Sequence, residues 1–364
     1  MKRILAIVIS ASFCLSLQAC NSLLPAQKAT ITPLQSYEKI INSNPLGWGI
    51  DLSPSGSWLV QYSSNTEGVI RIISTSNPEI SIQDNNEEQF GQDKSVQAWS
   101  PDSLKFAVVS SDNPGKCSYN KVVIYKIINS QEFSRNIFNL PENRYDCPGI
   151  YWSWNDLYLA VTDSMGHIYI LDSNANLINT IDPSQDGKWV QMIWTMKGIF
   201  ASISHFDNAK NSSQTELWLI NPDKPEENKL LFTKDISFSV DGIDPTGGRL
   251  LLSVGAETVN DPKQLRLWVF DVKTNQVIKE VALPGDVWYG PELESVTSAS
   301  WVAYIIGTPE TAAQRKLYLF DWSKIELIDY GEATGLVGWR SNVNGFIIIK
   351  GKTGDYSIDV VTPK

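Results

Sequence analysis

The sequence predicts an all-β chain folded as a seven-bladed β-propeller of four-stranded blades, its last blade completed by a strand from the N-terminal segment. Three observations predict it. Aromatic residues are abundant, with 13 Trp, 13 Tyr and 12 Phe in 364 residues, β-branched residues accompany them, and long runs of strong helix formers are missing, which favours strands. One phrase, a turn followed by an apolar strand, returns seven times at intervals of about forty to fifty residues, the spacing of a repeat architecture. A second apolar strand follows each copy, and a third follows most of them.

The elements are taken in chain order. Residues 1–19 are set apart from the fold: Lys2 and Arg3 give a positive start, Ile4 to Leu17 form a short apolar run, and the stretch is too short and wrongly flanked for a spanning helix, so it reads as an export signal. The cleavage region, Leu17-Gln18-Ala19-Cys20, resembles the box of bacterial lipoproteins. That resemblance implies cleavage before Cys20 and a diacylglycerol on its thiol; the alternative is an ordinary secretory signal with Cys20 incidental. Residues 20–27 would be a lipidated tether, and residues 28–364 a single domain outside the cytoplasm, held on a bacterial membrane by buried methylenes at about 0.8 kcal/mol each. In enterobacterial sorting an Asp after the lipidated Cys retains a protein at the inner membrane. Asn21 does not match that signal, and whether the site is the outer membrane or the outer face of the cell membrane stays open.

The repeated strand reads SPSGSWLVQY, SPDSLKFAVV, SWNDLYLAV, TMKGIFASI, DPTGGRLLLSV, TSASWVAYI and SNVNGFIIIK, with anchors at Leu59, Phe106, Leu159, Phe200, Leu250, Val302 and Phe346. Each copy begins with a tight turn, where in most copies Pro, Asn, Asp or Gly supply the dihedrals of a chain reversal. The following strands are GVIRIIS, KVVIYKI, HIYILDS, ELWLINP, RLWVFDV, KLYLFDW and DYSIDVV. Trp99 and Trp152 precede two of the turns and read as wedges between neighbouring blades, against the alternative of ligand platforms. Four strands per unit and seven units make the propeller, in which radial repetition protects the sheet edges. The phrase WSPD before an apolar strand resembles propeller repeats of the TolB type, which also occur in prolyl-oligopeptidase-type peptidases. LWVFDVKTNQVIKEV resembles the third and fourth strands of a WD-type repeat. The seventh unit lacks room for a fourth strand, so a strand from residues 28–42 is expected to complete it.

Antiparallel strands sort the connections onto two faces. Turns between first and second strands are short. Connections between second and third strands, and between units, are long and share one face, where binding sites are usually built. Cys117 and Cys147 both fall on that face, and an even pair in an oxidising compartment reads as a disulfide. Tyr145, Trp189, His205, Asp207, Trp288 and Tyr289 are the candidate contacts there, as loop aromatics can stack on sugars or anchor a partner; the plainer reading has them covering the rim.

Composition narrows the partners. The formal charge of −10 becomes −12 once Lys2 and Arg3 leave with the signal, and an acidic chain with no basic cluster argues against nucleic acid. Two histidines, His167 and His205, are too few with Cys117 and Cys147, the two of four cysteines left once Cys14 and Cys20 are assigned to export and lipidation, for a metal centre, and no phosphate loop or nucleophile elbow is written in the chain. No cofactor, metal or catalytic residue is assigned. The sequence reads as a non-catalytic binding or scaffold protein, a form resembling the lipid-anchored propellers of envelope assembly, with an envelope protein or polymer as partner. The alternative is a carboxylate-dependent hydrolase or lyase on extracellular polysaccharide or peptide, since a glycosidase needs only two suitably separated carboxylates.

Overall fold

The repeated strand is apolar at consecutive positions, as in FAVV, YLAV and LLL, and a strand of that kind must be covered on both faces. The computed structural model describes residues 29–33, 48–63, 69–85, 89–90, 99–111, 120–141, 149–163, 166–182, 189–207, 212–255, 266–284, 293–297, 301–307, 315–340, 345–352 and 355–363. It places each repeated strand second in a four-stranded antiparallel sheet, and seven such sheets are described.

The first sheet holds β2 (Trp48–Leu52), β3 (Trp58–Ser63), β4 (Val69–Ser74) and β5 (Ser81–Asn85). The second holds β6 (Gln89–Phe90), β7 (Lys105–Ser111), β8 (Lys121–Asn129) and β9 (Glu132–Asn139). In the third are β10 (Ile150–Trp152), β11 (Tyr158–Thr162), β12 (Ile168–Asp172) and β13 (Leu177–Ile181), and in the fourth β14 (Trp189–Thr195), β15 (Gly198–Asp207), β16 (Ser212–Ile220) and β17 (Lys229–Lys234). The fifth comprises β18 (Phe238–Ile243), β19 (Arg249–Val254), β20 (Arg266–Asp271) and β21 (Gln276–Ala282). The sixth comprises β22 (Leu293–Thr297), β23 (Trp301–Ile306), β24 (Lys316–Asp321) and β25 (Glu326–Glu332). The seventh is built from β26 (Gly335–Arg340), β27 (Gly345–Lys352) and β28 (Asp355–Pro363), and its fourth place is taken by β1 (Ala29–Pro33), which runs antiparallel to β28 with Ala29 opposite Pro363. Among the described residues a 3-10 turn at Pro225–Glu227 is the one helical element.

All seven anchors are buried: Leu59, Phe106, Leu159, Phe200, Leu250, Val302 and Phe346 are at most 1 % exposed. In six sheets the inner-strand partner of the anchor stands seven positions earlier, as in Leu52 opposite Leu59, Trp152 opposite Leu159 and Trp339 opposite Phe346; in the sixth sheet Thr297 faces Val302. One hairpin is therefore written six times over. Behind each anchor the third strand supplies another apolar partner, such as Tyr125 opposite Phe106 or Phe270 opposite Leu250.

The core is divided into interfaces between consecutive sheets. One cluster joins Val60, Ile70 and Ile72 to Trp99, Phe106 and Val123, and the next joins Ala107, Val122 and Ile124 to Trp152, Leu159 and Leu171. Both tryptophans are thus wedged between sheets. Phe106 faces backward and Ala107 forward because successive residues of a strand point to opposite faces. Three further clusters join the third sheet to the fourth, the fourth to the fifth and the fifth to the sixth. Another joins the sixth to the seventh, and the last joins Ile347, Ile358 and Val360 of the seventh sheet to Leu52, Leu59 and Ile73 of the first. Fourth strands are mostly exposed, as in β21 and β13.

In the first, second, third and fifth sheets the turns between first and second strands share one construction. Ser53, Ser100, Ser153 and Asp244 are buried and begin it, each accepting with its side chain the N–H five residues on, from Trp58, Lys105, Tyr158 and Arg249 at 2.9–3.0 Å. Three residues into each turn the backbone enters the left-handed region, at Gly56, Ser103, Asp156 and Gly247. Two of these are not glycine, and both use their side chains between sheets: the Ser55 N–H donates to Ser103 Oγ (2.8 Å) and the Asp102 N–H donates to Asp156 Oδ1 (2.7 Å). Farther round, Lys197 Nζ donates to the Gly247 carbonyl (2.7 Å). Neighbouring turns are bolted to one another.

Asp156→Ala removes the inter-sheet bond, at about 1 kcal/mol, and leaves a Cβ residue in the left-handed region. It is expected to lower urea-unfolding stability by about 1–2 kcal/mol, while Asp156→Gly, which relieves the backbone, should fall close to the parent. At Gly198 the φ is +126° and an added Cβ would stand 2.5 Å from the Ile220 carbonyl oxygen. Gly198→Ala is expected to lower the thermal midpoint more than either change at Asp156.

Candidate binding face

The end of the sheets opposite these turns carries the connections between second and third strands and between sheets: residues 112–120, 255–265 and 307–315 are of the first kind, and 140–149, 182–188 and 283–292 of the second. The sequence-predicted contacts fall here unevenly. Tyr145, Trp288, Tyr289, Cys117 and Cys147 lie outside the described residues, as does Cys20. Trp189 begins β14, its backbone opposite Ser204. His205 and Asp207 belong to β15, paired with Gln214 and Ser212, so the loop expected over residues 204–215 is mostly hairpin. Backbone pairing carries this polar stretch outward regardless of its side chains. Of the candidates, the structure brings together His205 and, through their backbones, Asp207 and Trp189 on one sheet.

Around His205 the described side chains form a compact polar group. Its Nε2 lies 3.5 Å from Glu216 Oε2, and Trp218 Nε1 donates to the same carboxylate oxygen at 2.8 Å. Ser204 and Thr215 hydroxyls meet at 2.9 Å on the adjoining rung. A second histidine–carboxylate group stands in the third sheet. The buried Asp163 accepts the His167 N–H on Oδ1 (3.0 Å) and the Tyr169 hydroxyl on Oδ2 (3.0 Å), with His167 Nδ1 2.7 Å from the same oxygen. The contacts of Asp163 with His167 and Tyr169 close its own β11–β12 connection and staple the loop. Among the described residues no three His, Cys, Asp or Glu side chains converge as a metal site would require.

Sequence reasoning missed a polar group on the inner strands. Asp241 sits at an irregularity of β18, where the register against β19 shifts between Val240 and Gly242. Its Oδ1 accepts from Ser253 Oγ (3.0 Å) and its Oδ2 from Tyr304 Oη of the sixth sheet (2.8 Å). Burial pushes the carboxyl up from 3.8 to about 7, the two hydroxyl donors only partly offsetting it. The same burial, with Asp241 beside it, holds the Tyr304 phenol well above its ordinary range. On the third sheet's inner strand, burial likewise pushes Tyr151 up to about 12, against a backbone bond from Met192. The one sequence signal for Asp241 was an acidic residue inside an otherwise apolar inner strand, FSVDGI.

A raised folded-state pKa means that Asp241 contributes stability fully below 3.8, and that this contribution is lost as the pH rises through about 7. Asp241→Asn is expected to raise the thermal midpoint above that range and to leave it nearly unchanged near the lower bound, in melts recorded across the interval.

Comparison with known proteins gives the fold and no relative. No family model matches the chain, and no curated protein matches it. Among solved structures it is similar to the β-propeller domain of Cps50 (Swd1) from Myceliophteria thermophila, with 11 % identity, 86 % of this chain and 96 % of that chain covered, and a TM-score of 0.55. It is also similar to the β-propeller domain of the Trilobed protease from Pyrococcus furiosus, described as having an open velcro topology, with 13 % identity, 86 % and 95 % coverage and a TM-score of 0.58. The chain is an all-β propeller.

Proposed function

We propose that this chain is a lipid-anchored, extracytoplasmic propeller of seven blades, closed by β1, that binds a protein or envelope polymer through its loop-rich end without catalysing a reaction. The observation that carries the reading is the contrast between the two ends. One end is a row of short turns bonded to each other through Ser103 and Asp156. The other carries the long connections on a rigid base, the arrangement in which recognition loops are built. Blade count and closure are supported by seven interfaces between consecutive sheets, the last joining the seventh to the first, and by the β1–β28 pairing. Export and lipidation are supported by the character of residues 1–20, and a Cys117–Cys147 disulfide by the even cysteine count in that compartment.

A second reading, a carboxylate-dependent hydrolase or lyase, draws on Asp241. A carboxyl held near 7 on an inner strand has the protonation a general acid needs.

Cross-linking capture from native membranes separates the two. The scaffold reading expects a protein or polymer held by the parent chain and lost on joint replacement of Trp288 and Tyr289 by Ala. Equal capture by both forms would move the working face elsewhere. Cys20→Ser should shift the chain from the membrane to the soluble fraction, and continued attachment would defeat the anchor. Replacing Cys117 or Cys147 by Ser is expected to leave the fold intact while proteolysis of residues 112–119 and 142–148 rises.

A further inference from the structure

The turn end is not uniformly polar. Leu104, Trp154, Leu157 and Met196 are 48, 51, 57 and 80 % exposed. They occupy the first–second-strand turns of the second, third and fourth sheets. The Asp102–Asp156 bond joins the turns of the second and third sheets, and Tyr158 of the third sheet stacks on Trp194 of the fourth at an interplanar angle of 10°. Exposed Ile128 extends the patch, since the N–H of Ile127 beside it bonds the Leu104 carbonyl. The four exposed apolar residues therefore stand on the neighbouring turns of three consecutive sheets. The turn itself does not require them. In the first and fifth sheets the positions of Trp154 and Leu157 are filled by Pro54 and Ser57, and by Pro245 and Gly248, within the same construction.

The route of the chain brings β1 to this same end, at the seventh sheet. β28 is a third strand, and third strands end beside the first–second-strand turns, as Val272 does by donating its N–H to Gly248 and Thr75 by donating to Ser57. Pro363 closes β28 at that end, and Ala29 is opposite Pro363. The N-terminal segment thus enters the fold at the turn end. Residues 21–28 separate Cys20 from β1, and a tether of that length reaches at most about 30 Å when fully extended.

We infer that the turn end of the second to fourth sheets rests on the membrane, with Trp154, Leu157, Leu104 and Met196 seated in the boundary between headgroups and acyl chains. This rests on the lipid-anchor reading of Cys20 and adds an orientation to it: the loop-rich end faces away from the bilayer. Trp with aliphatic neighbours is the side-chain chemistry of that boundary. At a net charge of −12 after signal removal the contact is apolar and not electrostatic, so it persists in high salt.

The test uses the full chain isolated from bacterial membranes and reconstituted in phosphatidylcholine vesicles bearing a photoreactive diazirine in the acyl chain. Irradiation is followed by mass mapping of the adducts and of the N-terminal peptide. The expected result is an acylated Cys20 peptide, with adducts on the Trp154–Leu157 and Met196 peptides several-fold above those on the peptide of Ile278, an exposed apolar residue of β21. These adducts should persist in high salt and vanish in a Trp154→Ser, Met196→Ser double variant whose Cys20 remains acylated. Adducts confined to residues 20–28 with Cys20 acylated would overturn the docking and leave the anchor standing. A Cys20 peptide without acyl mass would overturn the anchor and the docking with it. Turn peptides shielded from aqueous labelling in native membranes but free of lipid adducts would overturn the docking in favour of a protein covering that end.

Discussion

Everything in this fold depends on covering two faces at once. The second and third strands of each sheet are apolar on both sides, so no sheet is satisfied by one neighbour. Phe106 needs the sheet behind it and Ala107 the sheet ahead. A linear stack would leave two apolar faces in water at its ends. The cluster of Ile347, Ile358 and Val360 with Leu52, Leu59 and Ile73 removes both of those faces together. Fully burying one such side chain is worth about 1.5–3 kcal/mol relative to exposure, so an open end carrying half a dozen of them would exceed the net stability of an ordinary domain.

Ring packing fixes the sheets radially, but something must also set their height against one another. The turns do this with few atoms. A side chain at the strained third position reaches the N–H of the preceding turn, so the residue that violates the usual preference for glycine is the one that makes the contact. In these turns the strain falls on Ser103 and Asp156 and is converted into alignment. Where glycine is used instead, at Gly247, a lysine from the preceding turn supplies the bond through the backbone carbonyl.

Much of this was legible in the sequence. The seven anchors and the strands behind them were readable because double-sided burial writes continuous apolar runs, and Trp99 and Trp152 were readable as wedges because they precede equivalent turns. Three features escaped for physical reasons. His205 and Asp207 were read as loop because their surroundings are polar, whereas the hairpin is held by backbone pairing that ignores side chains. Asp241 was hidden because its significance lies in Ser253 and in Tyr304 of another sheet, contacts that no local pattern encodes. Trp154 was overlooked beside Trp152, although a large apolar residue in the place that proline takes in three other turns was a visible signal.

The β1–β28 pairing also governs when the molecule can come into being. It joins the earliest described strand to the last one, across nearly the whole length of the chain. Such a contact has the highest loop-closure entropy the molecule can present and forms late in folding. Until β28 has been made, the first six sheets can assemble but the cluster that joins the seventh sheet to the first cannot be completed. A chain emerging from a ribosome is therefore kept short of this pairing until β28 has been delivered, and its architecture acts as a clock on its own maturation.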